Sequence, residues 1–329
     1  MKKLATLSLI TFLAISYTGC SSKKSFEPEK TVDISVSTSD LKSDIKYINR
    51  DGATLENGNV ISKSGISEIS LNDGFVFLNS TNKNEIISTN FKDKIFVGEN
   101  EITLNNVVVA ASKNDDILAI IYSDNSFELR NNKNEVIFKD YEKVSLANDT
   151  RITNPFFLGN LVLFPSLDGK IVIVSLESKS TIKKIPIDPD GQFNNVIFLD
   201  VMDDGETLIA ATANKLISIS TKNIISKDFE IKDVVVDGEN IFVATLDGKL
   251  IKLSKSVEEL STQKFKFAKI NAIASSKNDI YAVESQGYLI KLSKDFQQTT
   301  IDDLSYDEKD KIISIRNKFY IGDKVITLP

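Results

Sequence analysis

Residues 240–256, NIFVATLDGKLIKLSKS, have the pattern of a β-hairpin. Residues 240–245 alternate between two faces, and a second apolar strand follows from Leu250 to Leu253. Asp247-Gly248 is expected to supply the two positive-φ positions of a tight turn between them. An isolated hairpin of this kind is marginally stable in water, so other segments of the chain are expected to pack against it.

The hairpin is repeated along the chain. Residues 279–295, DIYAVESQGYLIKLSKD, keep the strand, the turn and the I-K-L-S-K tail at the same spacing. Taking Gly248 as the reference, six related turns follow one another at intervals of 34 to 45 residues: Asn125, Gly169, Asn214, Gly248, Gly287 and Asp323. A period near 40 with several strands per unit is typical of β-propeller blades. Helical repeats would need a 3.6-residue periodicity, which is absent here.

We therefore predict an all-β protein, a β-propeller of four-stranded antiparallel blades. The two best-defined units have strands at 233–237, 240–245, 249–254 and 262–267, and at 271–275, 279–284, 288–293 and 297–301. The region before residue 105 divides into two shorter units, with strands at 44–49, 53–56, 59–62 and 66–71, and at 74–78, 85–88, 94–97 and 101–104. Added to the six later units, these make eight blades, with seven as the alternative.

The last unit predicts how the ring closes. It offers strands at 312–315, 319–321 and 324–328, and the sequence then stops at Pro329 without a fourth. Residues 31–38, TVDISVST, alternate apolar and polar side chains as a strand with one dry face does. Because an open ring would leave an exposed edge, we expect this N-terminal strand to complete the final blade.

The first residues predict export and lipidation. Lys2 and Lys3 precede a thirteen-residue, mostly apolar run at 4–16, which is too short to span a bilayer. The Gly19-Cys20 pair that follows resembles the lipobox of bacterial lipoproteins, although Tyr17 stands where Leu is usual. We predict a signal peptide at 1–19, acylation of Cys20, a flexible tether at 20–30 and one propeller domain at 31–329. An ordinary signal peptide that happens to contain a Cys is the alternative.

Composition excludes several classes of chemistry. The 329 residues include no His, so a Ser-His-Asp triad and His-ligated metals or haem are excluded. Cys20 is the only Cys, which excludes an internal disulfide and a Cys-ligated metal cluster. The net charge of −6, spread over 40 basic and 46 acidic residues without a basic cluster, argues against nucleic-acid binding. No catalytic, cofactor-binding or metal-binding residue is predicted.

Three acidic segments are candidate metal or catalytic sites. Asp188-Pro189-Asp190-Gly191 lacks the further ligands of a Ca²⁺ loop and is interpreted as a turn. Asp203-Asp204-Gly205 is interpreted as a hairpin turn, and residues 302–310 as a solvated loop between blades. Paired carboxylates could serve a glycosidase, but nothing in the sequence places two of them on facing loops.

The hairpins at 240–256 and 161–178, LVLFPSLDGKIVIVSLES, resemble the repeat of the quinoprotein-like (PQQ-like) propellers. With the lipobox, they resemble in particular the BamB family, the propeller lipoproteins of the outer-membrane β-barrel assembly machinery. The family's blade-docking Trp is missing, so no cofactor is expected.

The resemblance implies a non-catalytic, lipid-anchored scaffold that binds another envelope protein, such as a β-barrel assembly component. By similarity to the sorting rule of enteric bacteria, Ser21 after the Cys favours the outer membrane, and we expect the protein to face the periplasm. One alternative is a surface-exposed adhesin or ligand-binding lipoprotein. The other is an enzyme that uses a quinone or a sugar.

Overall fold

A computed structural model describes residues 24–189 and 194–329. They form eight antiparallel sheets of four strands each, arranged as the blades of a β-propeller. The predicted fold class and the count of eight blades are therefore confirmed, and seven is wrong. The predicted signal peptide and Cys20 lie outside the described residues, as does Asp190-Gly191 of the first acidic segment.

Numbered along the chain, β1 is Ser37–Asp40 and belongs to the last blade. Blades 1 and 2 consist of β2 Ile45–Ile48, β3 Ala53–Leu55, β4 Val60–Ser62 and β5 Gly65–Ser67, and of β6 Val76–Ser80, β7 Ile86–Thr89, β8 Lys94–Val97 and β9 Asn100–Thr103. Blades 3 and 4 consist of β10 Val108–Asn114, β11 Ile117–Tyr122, β12 Ser126–Arg130 and β13 Val136–Tyr141, and of β14 Phe156–Leu158, β15 Leu161–Pro165, β16 Lys170–Ser175 and β17 Ser180–Pro186.

Blades 5 and 6 consist of β18 Phe198–Val201, β19 Leu208–Ala211, β20 Lys215–Ile219 and β21 Ile224–Asp228, and of β22 Ile231–Asp237, β23 Asn240–Thr245, β24 Lys249–Ser254 and β25 Glu259–Lys264. Blade 7 consists of β26 Ile270–Ser275, β27 Asp279–Glu284, β28 Tyr288–Ser293 and β29 Thr299–Asp303. Blade 8 consists of β30 Ile312–Ile315, β31 Lys318–Ile321, β32 Lys324–Thr327 and β1.

The core lies between the blades, because each twisted sheet buries apolar side chains against both neighbours. Between blades 6 and 7, for example, Phe242 and Leu250 meet Ile280 and Ile290, all almost fully buried. The fourth strand of each blade is mostly exposed at the rim, as the pattern of β25 shows. The sequence signal is accordingly strongest in the second and third strands, where both faces are apolar.

Two faces of the ring follow from this topology. The turns between second and third strands and the linkers between blades lie on one face, which we call the linker face. The turns between first and second and between third and fourth strands lie on the other, which we call the hairpin face. The first strands surround the central channel that connects the two faces.

The reference turn differs from the prediction in one detail. Three residues, Leu246, Asp247 and Gly248, join β23 to β24, and only Gly248 has a positive φ, at 82°. The hydroxyl of Thr245 accepts a hydrogen bond from Lys249 N at 3.0 Å and closes this loop. A three-residue loop with Gly in the left-handed region replaces the expected two-residue turn.

The fourth strand of blade 6 lies three residues earlier than predicted, at Glu259–Lys264 in place of 262–267. Val257 takes a φ of 62° and its amide bonds to the carbonyl of Ser254, so the chain reverses at once after β24. Residues 265–268 belong to the linker that leads to blade 7.

The N terminus closes the ring at the predicted blade but with different residues. β1 pairs with β32 from Ser37↔Thr327 to Asp40↔Lys324, whereas the prediction was 31–38. Residues 24–36, the N-terminal strap, run instead along blade 7. In the strap, Val32 N donates to Ile301 O at 2.8 Å, and Ile34 is buried between blades 7 and 8. In the apolar alternation at 31–36, Ile34 and Val36 therefore serve blade packing, whereas Val32 is exposed.

Part of the predicted tether belongs to the strap. Phe26 is only 6% exposed and packs edge-on against Phe265 and Tyr288, with ring centroids 6.3 and 5.6 Å away. Its amide donates to Gln286 Oε1 at 2.8 Å. The structure therefore places Phe26 in the core between blades 6 and 7, where the sequence predicted a flexible tether.

Candidate functional site

The central channel opens at the hairpin face as a polar cavity of about 690 Å³. Arg50, in the first turn of blade 1, reaches across to blade 6 and pairs with Asp233 at 2.9 Å. Its guanidinium also donates to Val234 O at 3.1 Å and lies 4.7 Å from the centroid of the Phe198 ring. The charges of Arg50 and Asp233 are thus compensated inside the channel, and the contacts of Arg50 link blades 1, 5 and 6.

A second polar group lies beside it. Asp51 accepts a hydrogen bond from Asn154 Nδ2 at 2.6 Å and pairs with Lys63 at 3.1 Å. Burial would raise the pKa of Asp51, but Lys63 foremost and the Asn154 amide lower it below its ordinary value. Burial raises the pKa of Asp200, which also lines the cavity. Of these contacts, the bond between Asp51 and Asn154 joins blade 1 to the linker between blades 3 and 4.

The long linker between blades 3 and 4, residues 142–155, makes contacts with several other blades. Its far end enters the channel, where Asn154 bonds to Leu78 O at 3.1 Å and accepts from Ala111 N at 2.9 Å. Arg151 pairs with Asp149 and donates to the backbone of Lys232 in blade 6. The linker is thus fixed by bonds to blades 2, 3 and 6.

The last residue of β13 and the near end of the same linker present apolar side chains to solvent. Tyr141, Val144 and Leu146 are 75%, 73% and 75% exposed. Two hydrogen bonds hold the backbone here. The hydroxyl of Ser145 donates to Leu167 O at 3.3 Å, and Lys143 O accepts from Asn125 Nδ2 at 2.8 Å. We call Tyr141, Val144 and Leu146 the linker patch. Exposed apolar side chains on an anchored loop are typical of a protein-binding surface.

The linker patch was missed in the sequence because the segment lacks strand periodicity. The signal that could have identified it is its length, since 14 residues between two strands is long for a propeller connection. An exposed blade edge that accepts a strand from a partner would be another binding mode. The outer strands oppose it with charges, such as Lys183 and Lys184 in β17.

The described residues of the acidic segments serve as turns and strand ends. Asp204 Oδ1 accepts the amides of Glu206 and Thr207 at 2.9 and 2.8 Å, which confirms the hairpin turn at 203–205. Asp302 and Asp303 lie in β29, so the loop predicted at 302–310 is wrong there. Asp302 accepts the Ile34 amide at 2.9 Å. The described parts of the chain contain no cluster of three acidic residues able to hold a metal.

The chain shares the propeller fold of BamB from Moraxella catarrhalis. The two superpose with a TM-score of 0.69 over 89% of this chain and 99% of that one, at 14% identity. The C-terminal WD40 domain of Sif2 superposes with a TM-score of 0.63 over 89% of this chain and 98% of that one, at 13% identity. At such identities the likeness shows the fold alone.

Sequence comparison finds relatives that are plasminogen-binding proteins. The chain is 27% identical over 327 residues to the plasminogen-binding protein PgbB of Helicobacter pylori, in strains J99 and 26695. The match covers 83% of this chain but only 60% of PgbB, so the chain spans less than two thirds of the length of these relatives. No protein-family model matches the chain.

Neither the lipid anchor nor a membrane span is visible in the described structure. Cys20, the predicted lipidation site, precedes the first described residue, Lys24. Residues 24–189 and 194–329 include no helix long and apolar enough to cross a bilayer.

Proposed function

We propose that this chain is a non-catalytic protein-binding module, anchored by a lipid on Cys20 in the outer membrane and facing the periplasm. In its first version it is a scaffold that contacts a component of the β-barrel assembly machinery, as BamB-type lipoproteins do. The observation that carries the proposal is the linker patch, three exposed apolar side chains at the end of β13 and on the linker that follows it, which is fixed at both ends. Such a preformed surface binds a partner with little ordering cost.

Site-specific photo-crosslinking in cells tests the proposal directly. Benzoylphenylalanine at position 144 or 146 should form one crosslinked product with an envelope protein, identified by mass spectrometry. Position 182 is the matched control, because Ile182 is 58% exposed on an outer strand of blade 4, away from the patch. Equal products from all three positions, or none from 144 and 146, would refute the binding role of the patch.

A separate test addresses the anchor. Cells grown with an alkyne-modified fatty acid should label the wild-type protein, and Cys20→Ala should abolish the label. Unlabelled wild-type protein that is released as a soluble form would refute lipidation and leave the crosslinking result standing.

The likeness to PgbB favours a second candidate function, a surface-exposed module that binds a host protein such as plasminogen. Protease treatment of intact cells separates the two, because a protein that faces the periplasm is protected and a surface protein is cleaved. Purified chain should bind immobilised plasminogen only if the second candidate is right, and loss of binding in Leu146→Ser would place that contact on the linker patch.

A further inference from the structure

The linker face carries a second group of exposed apolar side chains, close to Lys24, the first described residue. Leu246, in the reference turn of blade 6, is 58% exposed, and Phe267, in the linker to blade 7, is 41% exposed. The two loops pack directly together, since Phe265 N donates to Gly248 O at 2.9 Å. We call Leu246 and Phe267 the blade 6 pair.

Lysines surround this pair. The ammonium groups of Lys24 and Lys266 lie 5.5 and 5.1 Å from the centroid of the Phe267 ring. Asp247, one of the nearby acids, is engaged by Lys264 at 2.8 Å and by Lys249 at 3.2 Å. An aromatic and a Leu side chain rimmed by ammonium groups match the interface of a phospholipid bilayer, which offers acyl carbon below and phosphate above.

The strap determines that the anchor lies at this face. A fourth strand runs from the hairpin face to the linker face, and β1 begins beside Thr327 at the hairpin face. A chain entering β1 directly would bring its N terminus to the hairpin face. From Ser37 back to Phe26, the strap instead crosses the rim of blade 7. The Phe26 amide bonds to Gln286, which lies in the turn between the second and third strands of that blade, on the linker face.

The distance from Lys24 to the anchor is short. Lys24 is four positions after Cys20, and extended chain spans at most about 3.6 Å per residue, so the anchor lies within about 14 Å of Lys24. Lys24 itself contacts Phe267. Any membrane that holds the lipid is therefore within reach of the blade 6 pair.

We propose that the blade 6 pair inserts into the membrane that holds the lipid anchor, so that the linker face at blades 6 and 7 lies on the bilayer and the channel mouth faces away. A lipid on a tether does not by itself fix how the domain faces the membrane, whereas a second contact of this kind does. This proposal rests on the lipid anchor of the proposed function.

The test uses the lipidated full chain in vesicles of phosphatidylethanolamine and phosphatidylglycerol. Leu246→Cys and Phe267→Cys each receive an environment-sensitive dye, which can be directed to one site because acylation blocks Cys20, the other Cys. Leu260→Cys is the matched control, since Leu260 is 52% exposed in the same blade but near the hairpin-face end of β25.

We expect dyes at 246 and 267 to be quenched at least twofold by lipids that carry a nitroxide near the headgroup, and the dye at 260 to respond only to iodide in solution. Equal iodide quenching at all three positions would overturn the proposal, as would protection of 246 and 267 that arises only when a protein partner is added. Wild-type protein that takes up dye at Cys20 would instead reveal failure of the lipid anchor.

Discussion

Gly248→Ala should destabilise the propeller more than a matched substitution in the same blade. Gly248 has a φ of 82°, and a Cβ placed there would lie 2.6 Å from Ala268 O and 2.7 Å from Phe265 O. Gly238 has a φ of 62°, but a Cβ there would meet no atom within 4 Å. The two positions share the backbone strain and differ only in the close approach to the linker.

The magnitudes follow from those two terms. A non-Gly residue in the left-handed region costs about 1 kcal/mol, which is the whole effect expected for Gly238→Ala. Overpacking against backbone that cannot move aside adds about 2 kcal/mol, so Gly248→Ala should cost about 3 kcal/mol in all. The linker carbonyls are held in place because Ala268 N donates to Phe265 O and Phe265 N donates to Gly248 O.

Urea unfolding followed by circular dichroism measures both variants, with the midpoints compared at equal slope. Equal losses for Gly248→Ala and Gly238→Ala would refute the reasoning, because the turn would then not be packed against the linker. A crystal structure of the Gly248→Ala protein should show residues 265–268 displaced, with the blade 6 pair separated.

Three further predictions concern the strap and the channel. Phe26→Ala should lower the free energy of unfolding by about 2–3 kcal/mol, because a buried aromatic side chain is lost from a segment that can detach. Phe267→Ala should lower it by less than about 0.5 kcal/mol, and denaturant titration compares the two variants. Arg50→Met should cost about 3 kcal/mol by leaving Asp233 buried without its counter-charge, and adding Asp233→Asn should recover part of that loss in a double-mutant cycle. The folded pKa of Asp51 is lowered, so the ionised carboxylate stabilises the fold above the unfolded pKa near 4. This stabilisation is lost as the pH falls through the folded pKa. Asp51→Asn should therefore flatten the decline of stability below about pH 4 in acid titrations.

The strands could be predicted from sequence wherever both faces of a strand are buried. β27 and β28 occur at the predicted bounds because their alternation is apolar on both sides. The two short blades before residue 105 were also found, although their strands have only three to five residues. The alternation of side chains predicted the strands, and the spacing of the turns predicted how the strands group into blades.

The contacts that join distant parts of the chain could not be predicted. β1 has four exposed residues and no apolar signal, so only its pairing with β32 identifies it as a strand. Arg50 and Asp233 are 183 positions apart, and neither looks unusual in the sequence. Phe26 lies in a polar stretch that composition alone assigns to a tether. In each case a blade far along the chain supplies the partner that defines the role.

Both proposed contact surfaces lie on the linker face, and a linker between two blades contributes side chains to each of them. Turns on the hairpin face join strands that are already paired, so their length is limited by the ladder. A linker joins two sheets and can lengthen without disturbing either, as residues 142–155 do. If the blade 6 pair rests on the bilayer, the linker patch, three blades away on the same face, is also directed toward the membrane. A partner of the linker patch would then have to reach that surface, which favours a membrane-embedded protein over a freely diffusing one.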